Sequence, residues 1–168
     1  MEAERLIEVG RRALADSTGA MEIMAEAWQV QALARAVGGR LVLSGPAELR
    51  GEARGLSEIG GRGCVTPVHP AVPAGGARAS LLTEVTDVQR ALTALTALLG
   101  EVGMALVGVA CGTGEESLYW QCIEAIDAVD ESLDHVHGML RRLAERERER
   151  DGPSGTVPGT AGSGAGRS

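Results

Sequence analysis

The 168-residue chain has no lysine, no asparagine and no phenylalanine, and its aromatic content is 2%. So few rings leave Leu, Val, Ile, Ala and Met to build the core, which suits helices packed on helices better than a β-sandwich. The missing residue types share AT-rich codons, so the composition reads as that of a GC-rich genome. The absence of lysine then reflects mutational bias and not a demand for guanidinium chemistry. A net charge of −7 argues against general nucleic-acid binding, which needs a basic footprint on phosphate. Cysteine is sparse as well. Cys64, Cys111 and Cys122 are odd in number and show no C-x-x-C spacing, so reduced thiols in a cytoplasmic protein are the expectation. Met1-Glu2-Ala3-Glu4-Arg5 opens an amphipathic helix in place of a basic stretch followed by an apolar one.

What is present is a repeat. Val85, Val88, Leu92, Leu95, Leu99, Val102, Leu106 and Val109 step by three and four residues. Tyr119, Cys122, Ile126, Val129, Leu133, Val136, Leu140 and Leu143 do the same. This 3.5-residue spacing is the seam of packed helices. The two segments predict a long antiparallel hairpin over residues 80–150, in which Val102 meets Cys122 and Leu95 meets Val129. Gly112 supplies the break between them, and Thr113 with Glu116 reads as a capping box.

The fold expected is all-α, a bundle of four to five helices built on that C-terminal hairpin. One helix covers residues 2–15, with Ala3, Ile7, Gly10 and Leu14 on one face. A second starts near Gly19 with Ile23, Ala27, Val30 and Val37 inward, is weakened at Gly38-Gly39, and extends through Arg40 to Leu43. A third starts at Pro46 with Leu49, Ala53 and Leu56 as its stripe, and Gly51 and Gly55 lower its propensity. Residues 60–79 are a Gly/Pro-rich connection, and 1–150 form a single domain. Residues 151–168 hold Gly, Ser, Thr and Pro, the composition of a disordered tail. Residues 91–109 are apolar on nearly every side, so this segment is expected as a central helix covered by the two N-terminal ones, or by a second copy of the chain.

Each motif that invites a sharper function has a plainer reading. Val109-Ala110-Cys111-Gly112-Thr113-Gly114 resembles the glycine-rich turn of S-adenosylmethionine-dependent methyltransferases, but Gly108 stands where the usual acidic residue would be. The helical spacing that runs into it reads as a helix break, and no cofactor is expected. Glu124, Asp127, Glu131 and Asp134 form an acidic stripe on the last helix. Helical nucleotide pyrophosphohydrolases bind magnesium with such E-x-x-E and E-x-x-D pairs, but on two facing helices. Here both pairs lie on one helix opposite its seam, a solvated face or an acidic docking surface. His135 and His137 fall on different faces, and His69 has no ligand cluster beside it. No catalytic constellation assembles. Residues 91–111 are long enough to span a bilayer, but Glu101 falls at mid-span and basic flanks are missing, so no membrane is expected. Trp28, Tyr119 and Trp120 are scarce enough that a pocket among them is conceivable.

Met1-Glu2-Ala3-Glu4-Arg5-Leu6-Ile7, Ala25-Glu26-Ala27-Trp28-Gln29, Gly45-Pro46-Ala47-Glu48-Leu49-Arg50-Gly51 and Glu115-Glu116-Ser117-Leu118-Tyr119-Trp120 resemble a family of small uncharacterised helical proteins from high-GC actinobacteria. The resemblance covers about residues 1–150 and implies no activity. Architecture alone is similar to the helical hairpins of actinobacterial type VII systems, whose W-x-G turn and Y-x-x-x-D/E signal are absent here. Function is therefore expected to lie in contact with a protein partner or in self-association. A metal- or small-ligand-binding enzyme using the acidic stripe is the alternative, and a membrane-associated protein the lower one.

Overall fold

Aliphatic side chains at helical spacing decide the fold. The computed structural model describes residues 1–59 and 77–152. Five α-helices follow in order: α1 (Ala3–Asp16), α2 (Ala20–Ser44), α3 (Arg50–Glu58), α4 (Val88–Gly112) and α5 (Glu116–Arg150). Short 3-10 turns occupy Ala47–Leu49 and Arg78–Leu81. The chain is all-helical among the described residues, apart from an isolated bridge between Glu2 and Glu84.

The core runs along α4. Ala91, Leu92, Leu95, Leu98, Leu99, Val102 and Leu106 are buried there, against Leu6 and Ile7 of α1, Val30, Leu33 and Val37 of α2, and Val129, Val136 and Met139 of α5. Each such Leu or Val stabilises the fold by about 1.5–3 kcal/mol relative to exposure. A smaller cluster of Val109, Ala110, Leu118 and Cys122 packs on Ala20, Ile23 and Met24 at the end where α4 gives way to α5. Helices α4 and α5 are separated by Thr113–Glu115 and make the most extensive helix–helix contact among the described residues.

Glycines set the other crossings. A Cβ on Gly38 would come within 2.8 Å of the Ala53 carbonyl oxygen and 2.9 Å of the Ser57 amide nitrogen, so α2 and α3 cross backbone to backbone. α2 consequently runs through Gly38-Gly39 to Ser44, as the extension through Leu43 requires. A Cβ on Gly10 would stand 3.2 Å from Leu98, which brings α1 close to α4. The segment before α4 is strapped to α2: the Arg78 amide donates to Gln29 Oε1 at 2.8 Å, the Arg78 guanidinium pairs with Glu26, and Arg40 donates to the Leu82 carbonyl at 3.1 Å.

Several expectations change. Val85 precedes α4, whose N-cap is Asp87 accepting from the Arg90 amide at 3.0 Å. Thr113 and Glu116 make no capping box. The N-cap of α5 is Glu115, whose amide donates to Thr113 Oγ1 at 3.1 Å. Glu22 does cap α2, accepting from the Thr18 and Gly19 amides. Val129 stands beside Gly103, 3.5 Å from the position of its Cβ. The largest correction concerns α4. The N-terminal helices do not cover it fully: Met104 is 74% and Val107 43% exposed, and Ala97 is exposed too. α1, α2 and α5 pack on the rest of its circumference, and the remaining arc has no partner among the described residues.

Candidate interaction surface

The uncovered arc of α4 carries Ala97, Gly100, Met104, Val107, Gly108 and Cys111. Gly100 and Gly108 have nothing within 4 Å of where a Cβ would stand, so no contact among the described residues accounts for them. Each weakens the helix by about 0.8–1 kcal/mol relative to alanine. The charge at the edge of this arc, Glu101, is neutralised by Arg11 of α1 through hydrogen bonds of 2.6 and 3.0 Å. That contact raises the pKa of the Arg11 guanidinium, first by hydrogen bonding to Glu101 and then by its charge.

The outer side of α5 carries the acidic stripe. Glu124, Asp127, Glu131 and Asp134 are all exposed, as the stripe reading expects. Neither they nor Glu115, Glu116 and Asp130 pair with a basic side chain among the described residues. No Arg or Lys occurs from residue 91 to residue 140. Among the described residues no group of three or more His, Cys, Asp and Glu side chains is arranged to hold a metal ion.

His135 and His137 do part company. His137 is exposed, while His135 Nδ1 lies 2.8 Å from Glu52 Oε2 of α3. Arg142 approaches the other Glu52 oxygen at 3.8 Å, and Arg146 pairs with Glu48 at 2.9 Å. Gly55 makes room for the imidazole, since a Cβ there would fall 2.3 Å from His135 Cε1. This cluster joins α3 to α5 and was legible only as matched spacing: Glu48 and Glu52, like Arg142 and Arg146, are four residues apart. The glycines of α3, read as a weakness, include one that seats a histidine.

Cys111 is exposed and Cys122 buried, with the Cys122 thiol 3.7 Å from Met24 Sδ and its pKa pushed up by burial. Cys64 and His69 lie outside the described residues, as do most of the connection and the tail. Val109-Gly114 is the end of α4 and a bend, with Thr113 as the C-cap. The three ring residues do not close into one site: Tyr119 and Trp120 meet edge to face at 5.3 Å and are 41% and 55% exposed, and Trp28 on α2 is 44% exposed. Tyr119 thereby falls outside the seam assigned to it. An open recess where α2 begins, lined by Ala20, Ile23, Ala105, Gly108 and Leu118, adjoins the bare arc of α4. α4 is also the one helix among the described residues long and apolar enough to cross a membrane, a test that a core helix passes as well.

No curated protein and no solved structure matches the chain. The pattern of one family does match, over residues 1–142, which takes in all of α1 to α4 and most of α5. The chain thus belongs to DUF6099, a family of unknown function.

Proposed function

We propose that this chain is a non-enzymatic cytoplasmic protein that acts by protein–protein contact, with α4 and α5 as an antiparallel hairpin that presents the contact surface. The observation that carries this reading is the bare apolar arc of α4, where Met104 is 74% and Val107 43% exposed. Contiguous apolar surface of this kind marks contact sites on soluble proteins. The open positions of Gly100 and Gly108 support it, because they let a second backbone approach closely. Unlinked thiols at Cys111 and Cys122 accord with a reducing compartment.

Sedimentation of the full chain, alone and with the proteins of its native extract, tests the reading. A complex or a self-associated species is expected, and Met104→Glu and Val107→Glu each dissolve it while the circular dichroism stays unchanged. A strict monomer that retains no partner, in the wild type as in both variants, overturns it. Recovery of the intact chain with membranes would assign the arc of α4 to lipid instead.

A further inference from the structure

Resting on the contact reading above, we infer that the open side of the α4–α5 pair binds a cationic amphipathic helix of a partner protein. The contacts of α5 locate that side. Val129 faces α4 at Gly103, Cys122 and Ser132 face α2 at Met24 and Gln31, and His135 and Gly138 face α3 at Glu52. At 100° per residue the arc of α5 between α4 and solvent is left to Tyr119, Ile123, Asp130 and the exposed His137, with Asp134 at its edge. On α4 the adjoining positions are Gly100, Met104 and Val107. Two parallel ridges therefore flank a strip whose floor is apolar and free of Cβ atoms at Gly100, and whose α5 rim is acidic. A third helix laid along two others fits such a strip, its apolar stripe inward.

Charge selects the occupant. From residue 91 to residue 140 there are eight carboxylates and no Arg or Lys. Glu101 is satisfied by Arg11, and of the other seven, none with a cationic partner among the described residues, Asp130 and Asp134 border this strip. A second copy of the chain on this side would bring Asp130 and Asp134 against their own counterparts, a like-charge juxtaposition that opposes association. An anionic bilayer would meet the same repulsion, with no basic side chain on this stretch to anchor headgroups. Lys or Arg flanking an apolar stripe complements both the floor and the rim.

The test uses the full-length chain and three synthetic amphipathic helices with the same leucine stripe, whose polar positions are arginine, glutamine or glutamate. Binding is followed by fluorescence anisotropy and by amide shifts. The arginine peptide is expected to bind at least about tenfold more tightly than the glutamine one, a margin of one good charge pair. Shifts should centre on Met104, Val107, Ile123 and Asp130. Met104→Glu, and separately Asp130→Asn with Asp134→Asn, should each weaken it about tenfold, whereas Leu43→Glu on the far part of α2 should not. Equal affinity for the arginine and glutamine peptides, with shifts on this strip, overturns the cationic partner and leaves the contact reading standing. Self-association through Met104 does the same. Arginine-peptide binding that ignores Met104→Glu and follows the distal carboxylates Glu145, Glu147 and Glu149 overturns the assigned side. Absence of any binding together with a strict monomer overturns both readings.

Discussion

Neighbouring glycines of one helix behave oppositely because only one of them touches anything. Gly38 meets the backbone of α3 closer than any real Cβ contact, and Gly39 faces open space. Gly38→Ala should destabilise the protein by about 1–3 kcal/mol through overpacking. Gly39→Ala should stabilise it by up to about 1 kcal/mol through helix propensity. Denaturant titration of the two variants reads the difference as opposite displacements of the midpoint. Sequence could not tell these residues apart, since both sit in the same dipeptide and the discriminating partner is Ala53, fifteen positions on. Gly55 is the same case, with its partner His135 on another helix.

One helix end carries a resolved electrostatic signature. Glu22 lies at the start of α2 and accepts from two amides, so its carboxylate pKa is lowered, by the Thr18 amide first and the Gly19 amide next. A depressed folded-state value means that the ionised form stabilises the fold. That contribution is present above the ordinary carboxylate value of 4.5 and disappears as the pH falls through the lowered one. Hydrogen exchange at Thr18 and Gly19, corrected for intrinsic rates, should accelerate over that acidic interval and be insensitive to pH there in Glu22→Gln. The apolar spacing of the helices was readable in advance: Leu92, Leu95, Leu99, Val102 and Leu106 are all buried, because a seam is a property of consecutive turns of one helix. The caps were less so. Glu22 and Asp87 hold their helix starts, while the Thr113–Glu116 spacing closes no box, because a cap needs a particular backbone entry that a three-residue interval does not encode.

Across the whole molecule, an apolar sequence specified burial without specifying by what. Helix α4 is apolar on nearly every side, yet the described residues supply neighbours for only part of its circumference. Stability should record that division. Leu99→Ala, at a fully buried position, should cost about 2–5 kcal/mol. Met104→Glu, one and a half turns further along, should change unfolding by no more than about 0.5 kcal/mol. Thermal and chemical denaturation of the isolated chain check both, and a large loss for Met104→Glu would mean that its side chain is covered after all. The backbone contact at Gly38 bears on motion as much as on packing. Where side chains interdigitate, two helices can shift by repacking rotamers; where a carbonyl and an amide sit against a bare Cα, there is nothing to repack. Small steps of α2 past α3 are thereby opposed at Gly38, and α3 is tied in turn to α5 through Glu52 and His135.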